Sequence, residues 1–156
     1  MIKVNKAFTL IEIIFVIIIL SILSSIAIPI LHTSREDSKI AVSLAEVGMI
    51  VSEISSYYTT KGFFNVNVNE MINVKNIIYS TPWNSTINEG ILTYFVENSD
   101  GTLDACVYIS LKNKDGNLTV SNVLGTHSTV CQRLHENYYY LSLLGTKFVG
   151  GNRIKF

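Results

Sequence analysis

One unbroken apolar run and two hydrophobic periodicities organise this sequence. From Phe8 to Leu31 almost every position is apolar, and Ile13 to Leu23 reads IIFVIIILSIL without a charge. Glu12 alone interrupts the run, near its start. At ~1.5 Å of rise per residue, about 24 helical residues span roughly 36 Å, enough to cross a bilayer core. The pattern then changes. Ile40, Leu44, Val47, Val51, Ile54 and Tyr58 recur in alternating steps of four and three, which is one face of a helix. Lys39, Ser43, Glu46, Ser52, Glu53 and Ser56 occupy the other faces. This amphipathic half is expected from about Ser34 to Thr60, stopping near Lys61-Gly62. The two halves together predict a helix of about 53 residues, roughly 80 Å long. The stripe is the side onto which a sheet should pack. A coiled-coil seam would use the same stripe, but the pattern covers fewer than three heptads.

Beyond the helix the period falls to two. Ile91 to Glu97, Ala105 to Leu111 and Leu118 to Val123 read as strands. Asp100-Gly101 and Asp115-Gly116 sit in the two gaps, and Asp-Gly is a strong hairpin signal. A three-stranded antiparallel meander follows. Ala105, Val107, Ile109 and Leu111 share the face that should meet the helix. A fourth strand is expected around Tyr138 to Leu144, and Lys147 to Phe156 match no pattern. Gly62 to Gly90 is rich in Asn and reads as a mostly irregular connection, with room for one short helix near Glu70 to Tyr79. Thr81-Pro82-Trp83-Asn84 reads as a turn, with Trp83 anchoring it on the core. The fold class is therefore α+β. A long N-terminal helix, with a transmembrane half and an amphipathic half, packs on a small antiparallel β-sheet head.

Composition sharpens this picture at three points. The chain has 156 residues, enough for one small head behind the helix. Twelve basic and twelve acidic side chains cancel, which gives no electrostatic case for nucleic acid as a main partner. Lys3 and Lys6 precede the apolar run, while Arg35 and Lys39 on the far side are mixed with Glu36 and Asp37. By the positive-inside rule the N-terminus stays in the cytoplasm and the head faces outward.

Three readings of Phe8 to Leu31 compete. One is a plain transmembrane anchor. Another is a secretory signal peptide cut after Ala27, but the apolar region exceeds the usual ~7–15 residues and carries Glu12 at its entrance. The third rests on particular residues. A short basic leader, Met1-Ile2-Lys3-Val4-Asn5-Lys6-Ala7, precedes Phe8-Thr9-Leu10-Ile11-Glu12, then about twenty apolar residues and Pro29. This segment resembles the prepilin motif of the type IV pilin superfamily, which includes the pseudopilins of type II secretion. Ala7 stands where that family usually has Gly, one methyl larger.

The resemblance implies a division of the chain. Residues 1–7 are a leader removed by a membrane-embedded prepilin peptidase between Ala7 and Phe8, and the same enzyme N-methylates Phe8. Residues 8–31 form the transmembrane and filament-core helix, 32–61 its amphipathic continuation, and 62–156 a periplasmic or extracellular head. Loss of Lys3 and Lys6 leaves ten basic against twelve acidic side chains. The implied partners are the peptidase, other pilin or pseudopilin subunits, an inner-membrane assembly platform and a cytoplasmic ATPase. The implied location is the bacterial inner membrane, single-pass, and then a filament. Within the family the connection after the helix lies on the filament surface, where partner specificity resides.

A carboxylate inside an apolar run costs roughly 2.5–3.5 kcal/mol on insertion scales, so it normally marks a function and has a partner. The resemblance supplies one: the new α-amine of Phe8 on a neighbouring subunit, which attracts Glu12 during assembly. Pairing the two in a low dielectric offsets much of each desolvation cost. Snorkelling to the headgroups is the plainer reading of Glu12. Pro29 removes a backbone donor and clashes near the Ser25 carbonyl, which predicts a kink or loosened stretch. Ser24 and Ser25 can partly satisfy the freed groups. A helix end at the membrane surface is the plainer reading of Pro29. Cys106 and Cys131 suit a disulfide of the kind many type IV pilins carry, pinning the C-terminal segment to the sheet; two buried free thiols are the alternative.

Other chemistry finds little support. Asp100, Asp104 and Asp115 are better read as hairpin acids than as a calcium loop, because Val96 and Val107 stand where such a loop needs carboxylates. His32, His127 and His135 show no metal spacing, and no cofactor or catalytic constellation is visible. Tyr138-Tyr139-Tyr140, with Lys147, Arg153 and Lys155 nearby, could stack on nucleic acid, but packed strand tyrosines are the more ordinary reading. The sequence thus reads as a structural filament subunit of a pilus or a type II secretion pseudopilus. The alternative is a minor pilin or competence pseudopilin whose head binds DNA or a surface. Replacing Glu12 by Ala should leave the precursor membrane-bound and cleavable while impairing its incorporation into filaments, as read by filament yield against wild type. Wild-type assembly of that variant would remove the assigned role.

Overall fold

The computed structural model describes residues 8–84, 88–98, 100–126 and 128–150. Its element order is helix α1 (Leu10–Lys61), a 3-10 turn (Val68–Glu70), strands β1 (Ile77–Asn84), β2 (Glu89–Glu97), β3 (Leu103–Lys112) and β4 (Asn117–Asn122), helices α2 (Thr129–His135) and α3 (Tyr138–Leu143), and strand β5 (Gly145–Phe148). The fold is α+β, as the periodicities predict. Contacts divide the chain into two compact units, Met1–Asp37 and Ser38–Phe156.

In the second unit α1 lays its apolar stripe on the sheet. Ile40, Val47, Val51 and Ile54 are buried as the spacing predicts, and Leu44 and Tyr58 are partly buried against the same core. Ile50 and Ser43 complete the stripe, so two residues per turn face the sheet. Val42 and Met49 stay exposed on the other side. Gly62 ends the helix with φ 81°, its N–H bonded to the Tyr58 carbonyl at 2.7 Å. Only a residue free of Cβ crowding takes that left-handed conformation cheaply.

The sheet is wholly antiparallel, ordered β1-β2-β3-β4-β5. Leu92, Tyr94 and Val96 of β2, Val107, Ile109 and Leu111 of β3, and Leu118 and Val120 of β4 are buried in one core. The register between β2 and β3 slips after Tyr94. Tyr94 pairs with Val107 but Phe95 pairs with Ala105, which leaves Cys106 as an extra residue in β3. This bulge lets Cys106 and Val107, adjacent in sequence, both be fully buried.

Three expectations are corrected. Among the described residues the sheet has five strands, not three or four. The segment expected as an irregular connection with a helix near Glu70 to Tyr79 instead holds a 3-10 turn at Val68–Glu70 and then strand β1, which runs through Thr81-Pro82-Trp83-Asn84 where a turn is expected. Proline is tolerated there because β1 is an edge strand whose outward N–H positions need no ladder partner. Bulges between Tyr79 and Thr81 and between Thr81 and Asn84 accompany it. Tyr138 to Leu144, expected as a strand, is the short helix α3. Asn137 caps it, its Oδ1 accepting from the Tyr139 N–H at 2.9 Å, so local capping overrides the β-propensity of the three tyrosines. The chain then adds β5 beside β4, which places Lys147 and Phe148; residues 151–156, with Arg153 and Lys155, lie outside the described residues.

The asparagine-rich connection is tied down rather than irregular. Phe64 is buried and its ring meets Tyr58 in a tilted contact at 4.5 Å, while its backbone N–H and C=O both bond the Asn113 side chain. The Asn65 side chain donates to Tyr57 Oη at 2.9 Å and to Glu70, and Tyr79 Oη donates to the Asn65 carbonyl at 2.6 Å. Trp83 closes over Gly90, where an added Cβ would meet the ring at 2.7 Å. Because Ile54 is fully buried beneath the sheet, Ile54→Ala should cost about 2–5 kcal/mol, whereas Met49→Ala on the exposed side should stay within about 0.5 kcal/mol. Denaturant unfolding of the head signal in the full chain checks both values.

Candidate assembly helix and head clasp

Two places carry chemistry: the start of α1, and the junction of β3 with α2. At the first, Thr9 caps the helix. The Glu12 N–H bonds the Thr9 carbonyl at 3.1 Å and its Oγ1 at 3.4 Å, and the Ile13 N–H bonds the Thr9 carbonyl at 3.3 Å. Thr9 and Glu12 therefore occupy the first and fourth positions of a capping-box sequence, with an acid in the first turn of the helix. The partial positive charge of that helix end favours a carboxylate there. The sequence reading of Glu12 as an assembly residue missed this local role, although the Thr-x-x-Glu spacing carries it.

From Phe8 to Ile30 every large apolar side chain that is described is exposed, with Phe8 at 75% and Leu10 at 80%. By length and composition α1 is able to cross a membrane. Two hydroxyls within this stretch are satisfied inside the helix: Ser21 Oγ donates to the Ile17 carbonyl and Ser25 Oγ to the Ile22 carbonyl, each at 2.7 Å. These polar groups thus need no water. The chain stays helical through Pro29. Ala7, the expected residue before the cut, lies outside the described residues together with Lys3 and Lys6.

At the second place Cys106, on the β3 bulge, is disulfide-bonded to Cys131 in α2, with Cα atoms 5.6 Å apart. Both are fully buried. Ser128 caps α2 by accepting from the Cys131 N–H at 3.2 Å. Asp104 Oδ2 accepts from the Ser128 N–H at 2.8 Å and from Thr126 Oγ1 at 3.1 Å. So Asp104 fixes the loop leading to the clasp and is not a hairpin acid. Asp100 is one: its carboxylate accepts from the Thr102 N–H and hydroxyl, and those bonds hold its pKa below the ordinary range. His135 lies one turn after Cys131. Its Nε2 is 2.9 Å from the Cys106 carbonyl, 3.4 Å from Cys131 Sγ and 3.6 Å from Cys106 Sγ. Its ring stacks on Tyr140 at 5.4 Å. Inspecting histidines alone missed this grouping; Cys131-x-x-x-His135 on a helix is the signal that finds it. His127 lies outside the described residues, and nothing is described of the His32 side chain.

Two other features complete the head. A groove of about 230 Å³ runs beside α1, lined by Lys39, Val42, Glu46, Tyr94 and Val96 among others. Tyr94 Oη donates to Glu46 at 2.6 Å; burial, then that bond, pushes the phenol above its ordinary pKa. The three tyrosines of α3 do not pack together: Tyr140 is buried and donates to Asn122 Oδ1 at 2.7 Å, while Tyr138 and Tyr139 are exposed and meet edge to face at 5.9 Å.

Residues 2–28 match the family model described as the prokaryotic N-terminal methylation motif. No curated protein and no solved structure gives a significant match to the chain. The disulfide closes a loop of 25 residues, so Cys106→Ser with Cys131→Ser should cost roughly 3.5 kcal/mol in the chain-entropy model, visible as a lower denaturant midpoint for the double variant than for the oxidised wild type. The matched segment contains Phe8 and Glu12 at the head of the exposed apolar helix: the chain carries the N-terminal methylation motif that is the hallmark of type IV pilin and pseudopilin precursors.

Proposed function

We propose that this chain is a structural filament subunit of a type IV pilus or a type II secretion pseudopilus. The observation that carries the reading is the exposed apolar surface from Phe8 to Ile30, headed by a methylation motif with one acid in the first helical turn. Prepilin peptidase cuts between Ala7 and Phe8 and methylates the new amine. Before assembly the segment is solvated by lipid; afterwards copies of the same helix cover it. Glu12, already favoured by its own helix end, attracts the α-amine of a neighbour's Phe8. Pro29 gives the filament-core helix a point of give, because the Ser25 carbonyl has lost its usual donor. The head, closed by its disulfide, stays outside the inner membrane, and an assembly platform and ATPase move subunits into the filament.

A second reading is a minor or competence subunit whose head holds DNA or a surface. Exposed Tyr138 and Tyr139 favour it, since base stacking on aromatics contributes about 1–3 kcal/mol per base. The balanced net charge disfavours it. Intact mass of the protein from membranes tests the main reading. The expected species lacks Met1 to Ala7 and carries one methyl on Phe8. A mature chain beginning at any other residue refutes it.

A further inference from the structure

We propose that the Cys106–Cys131–His135 cluster is a zinc site of the reduced chain, so that metal and disulfide are alternative clasps for the same junction. The ligand-bearing atoms of the three residues lie within 4.8 Å of one another. A tetrahedral zinc ion holds sulfur at ~2.3 Å and imidazole nitrogen at ~2.0–2.1 Å, which spaces sulfur and nitrogen about 3.5 Å apart. His135 Nε2 already stands 3.4 Å from Cys131 Sγ and 3.6 Å from Cys106 Sγ. Two of the three ligand–ligand edges are therefore in place in the oxidised chain. The third edge, between the sulfurs, opens by rotation about the two Cα–Cβ bonds once the disulfide is cleaved, and Cα atoms 5.6 Å apart leave room for it.

Contacts other than the disulfide also position the three residues. Cys131 and His135 sit one turn apart on α2, whose start is fixed by Ser128 and Asp104. Cys106 is aimed into the core by the β3 bulge. His135 is held by stacking on Tyr140. Three protein ligands leave a fourth position for water. In the oxidised chain Nε2 carries a proton, donated to the Cys106 carbonyl at 2.9 Å. Metal binding requires the other tautomer, with the proton on Nδ1.

The chemistry balances as follows. A dithiol reductant supplies two electrons and two protons; the Cys106–Cys131 bond breaks, two thiols form, and the dithiol closes to its own disulfide. Zinc then displaces the two thiol protons to solvent and binds both thiolates with His135. A disulfide oxidant reverses the sequence and releases the ion. A chain still reduced after synthesis would thus hold α2 against β3 before oxidation makes the bond permanent. This inference is independent of the filament role.

The test uses the full chain in detergent micelles, oxidised or reduced by a water-soluble phosphine, which takes up oxygen from water as the thiols form. Cobalt(II) is added and then displaced by zinc. The reduced chain should bind one ion and show thiolate-to-cobalt charge-transfer absorption with tetrahedral ligand-field bands; the oxidised chain should show neither. Loss of a ligand nitrogen in His135→Ala should weaken zinc binding at least about tenfold, while its oxidised form keeps the wild-type circular dichroism. Equal binding by oxidised and reduced chains, unchanged affinity in His135→Ala, or no binding at all would each overturn the proposal. If reduction simply unfolds the head, zinc affinity will be insensitive to His135, which is one of those overturning results.

Discussion

An apolar helix that nothing among the described residues covers is the constraint from which the rest follows. From Phe8 to Ile30 the described large apolar side chains are exposed, and the polar residues among them are Glu12 and a few small hydroxyl residues, of which Ser21 and Ser25 bond the helix's own carbonyls. Water is a poor solvent for such a surface, because each Å² of apolar area left wet forfeits about 25 cal/mol. Lipid and a bundle of identical helices are both good solvents for it. A helix would suit either setting, since it satisfies its own N–H and C=O groups in both. A sheet in the same place could not move from one to the other without exposing its edges.

Glu12 shows how a costly group is supported by its own helix end. Within one chain it stands in the first turn of α1, where free N–H groups and the helix dipole favour negative charge, and its own N–H closes on Thr9. That local stabilisation needs no second chain. Under the proposed filament role, a cation from a neighbouring chain would add to it. An acid with no local support would be expelled to the headgroups, and one fully satisfied locally would have nothing left with which to select a partner.

The sequence made the helix and its stripe legible because their signals are long and local. A period sustained over several turns leaves little room for error, and Ile40, Val47, Val51 and Ile54 lie where it puts them. The β2–β3–β4 meander was legible for the same reason, with Asp-Gly at its turns. What escaped depended on interactions that no single segment carries. Strand β1 was hidden by Pro82, which is admissible only because β1 lies at the sheet edge, a fact of topology. Helix α3 was hidden by three tyrosines of high β-propensity, and it forms because Asn137 caps it and Tyr140 finds Asn122 across the core. At the clasp both cysteines were evident in the sequence. The bulge at Cys106 and the placement of His135 were not, because a one-residue register shift between β2 and β3 leaves no trace in alternation alone.

The C-terminal third of the head explains why the clasp sits where it does. Helix α2 has seven residues, α3 has six and β5 has four, lengths at which none would persist alone. They follow one another without a long element to anchor them, and β5 is an edge strand paired only to β4. Their order must come from tertiary ties: Asp104 to the α2 cap, the disulfide from β3 to α2, Tyr140 to Asn122, and the β4–β5 ladder. The disulfide joins the first of these short elements to a central strand whose neighbours are already paired, so it fixes the weakest segment to the most constrained one. A bridge between two parts of α1 or between adjacent strands would tie together what packing already holds. Placed from β3 to α2, it converts a run of marginal elements into part of the same cooperative head that α1 covers.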